Sequence, residues 1–218
     1  MDWTAPLDGY CERLGPGLGA EPLNLVTNAA FVIAAIWCWR RARGLWLPRA
    51  LSVILFAIGV GSGLFHSVAT FWAMLADVIP IGIFILAYVF AANRVFWHWP
   101  VWAAALGAAT FVPWAILLTP VFATLPFFAV SAFYWPVPLL IAIYAALLWR
   151  RWPMVGRGMA AGAALLCVSL AFRSVDETAC AALPIGTHFA WHMLNAVMLG
   201  WMIELIRRAL LAGAPRGG

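Results

Sequence analysis

Apolar residues in this chain come in long unbroken runs separated by short polar punctuation. They show neither the alternation of a half-buried strand nor the one-sided stripe of a soluble helix. A membrane-crossing helix needs roughly 20 apolar residues, and the runs predict seven of them: Glu21–Arg40, Pro48–Ala69, Phe71–Ala92, Val95–Leu118, Leu125–Trp149, Val155–Phe172 and Ile185–Leu210. Pro80, Pro113, Pro136 and Pro138 fall inside these runs and are expected to kink them, with neighbouring helices re-satisfying the freed carbonyls. A membrane β-barrel would alternate lipid-facing and lumen-facing positions, which the run from Val101 to Leu118 does not do. The expected fold is all-α, a polytopic integral membrane protein in which residues 1–218 form one seven-helix domain. Residues 1–20, rich in Gly and Pro, form a cap outside the bilayer.

Composition agrees. The chain is 66% hydrophobic and 10% charged, with a mean hydropathy of +0.95, against roughly 45–50% apolar and about 25% charged in soluble domains. The net charge of +5 rests on arginine alone, because lysine is absent. That excludes a seven-helix photoreceptor, whose retinal needs a lysine for its Schiff base. The arginines also set a topology. Arg40, Arg41, Arg43, Arg49, Arg94, Arg150, Arg151, Arg157, Arg207, Arg208 and Arg216 fall on one side of the predicted bundle, and only Arg13 and Arg173 on the other. The positive-inside rule then puts the N-terminus out and the C-terminus in. The basic balance is thus membrane topology, and no nucleic-acid partner is expected. Met1-Asp2-Trp3-Thr4-Ala5-Pro6-Leu7-Asp8-Gly9 is acidic and too polar for a cationic, cleavable signal. Trp97, Trp99, Trp149 and Trp152, with His98 between the first two, read as interfacial residues.

Against this apolar background a few polar residues stand out. His188 and His192 lie four apart in the last run, so on a helix both imidazoles project from one face, one turn apart. Ser62 and His66 share a face at the outer end of helix two, and Asp77 lies one to two turns into helix three, so a tight hairpin brings them to similar depth. His66, His188 and His192 therefore converge near the extracytoplasmic side. Ionisable groups inside a membrane are functional candidates by default. Three neutral imidazoles with one open position for water make a catalytic zinc arrangement. A bis-histidine haem is disfavoured, because two ligands one turn apart on one helix cannot approach iron from opposite faces.

A second polar group opens helix one. Glu21, Asn24 and Asn28 fall on one face, with Asp8 and Glu12 nearby in sequence. These oxygens suit a hard cation such as calcium; the alternative is a helix cap with acids favoured by the dipole in its first turn. Of the four cysteines, Cys38 and Cys167 lie in apolar helices as packing residues. Cys11 and Cys180 both lie on the outer side, where an oxidising exterior would let them pair.

Ser62-x3-His66, then Asp77, then His188-x3-His192 resembles the signature of the membrane hydrolase superfamily that includes alkaline ceramidases and the progestin and adipoQ receptors. Tyr10-Cys11-Glu12, the stretch Glu21 to Asn28, and Val175-Asp176-x3-Cys180 are similar specifically to the alkaline ceramidases, in order along nearly the whole chain. The resemblance implies an intramembrane amidase with zinc on His66, His188 and His192, Asp77 as general base and Ser62 as oxyanion donor. It also implies a calcium site at Asp8, Glu12 and Glu21 and a Cys11–Cys180 disulfide. Two departures fall at the calcium site: Gly9 stands where the family has an acid, and Leu14 where it has an Asn. The implied substrate is a membrane lipid, ceramide or another N-acyl lipid. Arginine as the sole cationic residue and the outward position of the histidines lead to the expected location, a bacterial inner membrane with the site near the periplasmic face. The rival reading on the same scaffold is a lipid receptor or sensor of the adipoQ-receptor type with a zinc site; a proton-relaying transporter is a more distant one.

Overall fold

The computed structural model describes residues 2–13, 15 and 17–213; Leu14 and Arg216 lie outside the described residues. Apolar helices follow one another in chain order: α1 (Pro22–Arg41), α2 (Trp46–Val68), α3 (Phe71–Phe96), α4 (Val101–Ala123), α5 (Pro136–Leu148), α6 (Pro153–Ser174) and α7 (His188–Ala212). Six are long and apolar enough to cross a membrane, and α5 falls short. Its 13 residues span about 20 Å, against a hydrocarbon core of about 30 Å. The sequence predicts a continuous helix from Leu125 to Trp149, but that stretch instead begins with a four-residue helix, Pro126–Ala129, and turns until Trp135. Among the described residues there is no strand, only an isolated bridge between Pro6 and Thr70.

Proline explains most of the departures. Pro136 and Pro138 do not bend a helix; they lie in the first turn of α5, where a missing N–H leaves no intrahelical bond unmade. In α4 the helix is interrupted at Thr110, giving segments Val101–Ala109 and Phe111–Ala123. Pro113 lies just beyond, unable to donate to the carbonyl of Ala109 and sterically opposed to it. Helix α3 runs through Pro80 without a break. In α1 the interruption is at Asn28, where Thr27 Oγ1 and Asn28 Nδ2 donate back to the carbonyls of Leu23 and Asn24, competing with the backbone ladder.

Helix α7 is the most enclosed of the long helices, with 67% of its most apolar window buried, and it packs on α1, α2 and α6. Gly158 and Gly162 of α6 make room for Leu205 and Met202, which a Cβ at either glycine would strike. Such small residues four apart allow close helix approach where the hydrophobic effect gives no drive between helices. On the outside, Ile33, Phe56, Trp102, Leu106, Leu117 and Val197 are exposed. So large an apolar surface is foreign to a soluble monomer, and with six long apolar helices it describes a multi-pass membrane protein.

Candidate metal centre

His66 lies in the last turn of α2, and His188 and His192 in the first two turns of α7. All three are buried, and one ring nitrogen from each lies within 4.8 Å of the others, the only such histidine, cysteine or carboxylate group among the described residues. Ring centroids are 4.6 Å apart for the two pairs involving His192 and 5.2 Å for His66 and His188.

The surrounding hydrogen bonds assign two of the tautomers. His66 Nδ1 lies 2.5 Å from Glu21 Oε2. Arg13 Nε donates to Glu21 Oε1 and Asn24 Nδ2 to Oε2, and an ionised carboxylate so held accepts only, so Nδ1 of His66 is a donor and Nε2 is the ring nitrogen left for a metal. Burial works against ionisation of Glu21, but the bonds from His66, Asn24 and Arg13 outweigh it and hold the carboxyl below its usual range. His192 Nδ1 faces Thr27 Oγ1 at 3.0 Å. The single hydroxyl proton of Thr27 goes to the Leu23 carbonyl at 2.8 Å, so Nδ1 donates here too. That leaves His192 Nε2 buried with no partner, as is His188 Nδ1. An unmet buried polar atom costs about 1–3 kcal/mol. Three buried imidazoles converging, two of them backed by oxygen acceptors that fix the ring, form a group able to hold a metal ion.

The start of α7 is fixed from below by Asp176. Its Oδ1 accepts from the backbone N–H of Thr187 at 2.6 Å and of His188 at 2.8 Å, and its Oδ2 accepts from Cys11 N at 3.1 Å. Gly186, at φ +64°, turns the chain into the helix so close to Asp176 and Cys11 that a side chain would collide with both. The Cys11–Cys180 disulfide, with Cα atoms 5.3 Å apart, ties the cap to this same corner.

Asp77 and Ser62 belong to the same locality. Gly61 lies so close to the backbone carbonyl of Ala76 that a Cβ would collide with it, so α2 and α3 cross in near contact beside the two residues. Ser62 is buried, one turn before His66. Asp77 has Ser62, His66 and Arg173 as its polar neighbours, and its Oδ1 is buried without a partner. Tyr10 closes the site from the cap, its ring centroid 3.9 Å from that of His188, and burial pushes its phenol above the usual range. Arg173 lies over the Tyr134 ring and donates to Val130 O and Ser131 Oγ.

Of the expected calcium ligands, the buried Glu12 and Glu21 meet at Asn24, which donates to Glu12 from its backbone N–H and to Glu21 from Nδ2. Asp8 is exposed. Glu12 is the N-terminal cap of α1, accepting from Leu23 N at 2.6 Å and Asn24 N at 2.8 Å, and Glu21 serves Arg13 and His66. The helix-cap alternative thus describes Glu12, while Glu21 backs a metal ligand. Sequence reasoning gave no role at the site to Thr27, Tyr10, Arg173 or Tyr134. Tyr10 and Tyr134 reach it from the cap and the turn before α5, and Thr27 and Arg173 from α1 and α6, placements that hydropathy does not encode.

A small apolar cavity of about 40 Å³, walled by α2, α3, α5, α6 and α7 and including Phe84, Tyr134, Trp191 and Asn195, adjoins a second of about 50 Å³ that reaches Tyr88 and Met202; none of the three histidines, Ser62 or Asp77 lines either. Compared with known protein families and with characterised proteins, the chain matches none.

Proposed function

We propose that this chain is a zinc-dependent intramembrane amidase that hydrolyses the N-acyl bond of ceramide or a related N-acyl lipid, giving a free fatty acid and a sphingoid base. The reading is carried by one observation: three converging buried imidazoles share a locality with Asp77 and Ser62. The order of these residues along the chain, with the resemblance to alkaline ceramidases, narrows the bond to an amide.

Zinc held by His66, His188 and His192 would polarise the scissile carbonyl and acidify a water molecule. Asp77 accepts the proton of the attacking water and returns it to the departing nitrogen, so the C–N bond breaks to an amine and a carboxylic acid. Ser62 donates to the carbonyl oxygen as negative charge develops on it. The apolar walls of the bundle hold the acyl chain.

In the membrane we place seven crossings, with α5 and the segment before it completing the fifth, the N-terminus outside and the metal centre towards the periplasmic face of a bacterial inner membrane. The arginine bias sets this orientation, and Arg41 over Trp37, Arg49 over Trp39, Arg151 over Trp97 and Arg208 over Trp201 place cation–aromatic pairs at the ends so assigned. The test is incubation of the purified protein with N-acyl sphingoid lipids, followed by mass spectrometry. Equimolar fatty acid and sphingoid base are expected; lipid that binds but stays intact would favour a receptor of the adipoQ type.

A further inference from the structure

We infer that the Arg13 guanidinium is a built-in cation that takes the place a calcium ion would hold in the N-terminal cap, and that it positions the ligand His66 through Glu21. This goes beyond the proposed reaction and does not depend on which bond is hydrolysed.

Charge balance carries the inference. A calcium site needs several oxygens with uncompensated negative charge around one point. Here both oxygens of Glu12 already accept from the N-terminus of α1, through the N–H groups of Leu23 and Asn24. Glu21 meets Arg13 Nε at 2.5 Å, and both side chains are nearly fully buried, at 4% and 1% exposure. Arg13 Nη1 donates to Gly15 O at 3.3 Å, and Asp8 is exposed. Among the described residues of the cap each buried carboxylate already has its partners, and the unpartnered buried oxygens beside them, Asn24 Oδ1 and Asn28 Oδ1, carry no charge. The same Glu21 accepts from His66 Nδ1, so Arg13, Glu21 and His66 form a continuous chain from the cap to the metal centre. Without Arg13, Glu21 is a buried anion with two neutral donors, a strongly unfavourable arrangement. The carboxylate then loses the partner that fixes its Oε1, and its hold on His66 through Oε2 weakens.

The test uses the full chain in detergent, in buffer stripped of divalent ions. For the wild type, added Ca2+ leaves Tm unchanged and Tb3+ gives no sensitised luminescence. Arg13→Ala lowers Tm by about 5–10 °C and lowers Co2+ affinity, read from the visible absorption bands of the metal-titrated protein, by about tenfold. Arg13→Lys, which keeps the charge, recovers most of the Co2+ affinity and stays indifferent to Ca2+, and this arm stands should Arg13→Ala fail to fold. A Ca2+-dependent rise in the wild-type Tm overturns the inference, as does an Arg13→Ala protein that matches the wild type in both Tm and Co2+ affinity.

Discussion

His66 donates from Nδ1 to Oε2 of Glu21 at 2.5 Å, joining residues 45 apart in the chain. The bond fixes the imidazole ring and leaves Nε2 as the donor atom for a metal. Glu21→Gln keeps the shape and removes the charge, so zinc affinity should fall by about 10- to 100-fold with helix content retained, as measured by competition with a chromophoric chelator. The Glu21 carboxyl is held below its usual range, which lies near ~4.3. Its contribution to stability is therefore complete above that pH and is lost as pH falls through the folded value. Thermal unfolding as a function of pH should lose part of its acid limb in Glu21→Gln.

Asp77 contributes no nitrogen or oxygen to the three-histidine group, so its loss should separate chemistry from metal binding. Asp77→Asn is expected to keep stoichiometric zinc and lose about 10²–10⁴-fold in kcat. Elemental analysis alongside a fatty-acid release assay checks both; loss of zinc together with activity would make Asp77 structural.

Ser62 acts on the substrate only as charge develops on the carbonyl oxygen. Ser62→Ala should therefore lower kcat by about 10²–10³-fold with KM nearly unchanged. Steady-state kinetics on a soluble short-chain amide would read this directly, and a change confined to KM would give the serine a ground-state binding role instead.

The histidines were legible because an imidazole inside an apolar run has no bland local explanation, and because the spacing of His188 and His192 fixes their shared face once the run is helical. His66 and Asp77 followed from hairpin depth. What hydropathy could not supply was the path of the polar cap. Glu21 reads equally as a calcium ligand or a helix-start acid, and only the folded chain gives it His66 and Arg13 as partners. The same blindness blurred α5: an apolar turn from Val130 to Trp135 has the hydropathy of a helix, and the prolines at Pro136 and Pro138 look alike whether they kink a helix or begin one.

The Cys11–Cys180 bridge closes a loop over 169 residues and fastens the cap beside Asp176 and Gly186. Its removal in Cys11→Ser/Cys180→Ser should cost about 2–5 kcal/mol and weaken zinc binding, because Tyr10 and Glu21 lose their anchorage. Thermal unfolding with and without reductant checks this: the wild type should respond to reductant and the double variant should not.

The central claim is that His66, His188 and His192 hold one zinc ion on which lipid-amide hydrolysis depends. The most direct measurement is elemental analysis of purified wild type and His188→Ala, each assayed in parallel for fatty-acid release from an N-acyl sphingoid lipid. The account predicts one zinc per wild-type chain with turnover, and neither in the variant, with Zn2+ added back to a chelator-stripped wild type restoring activity. Turnover by a metal-free His188→Ala protein would contradict it.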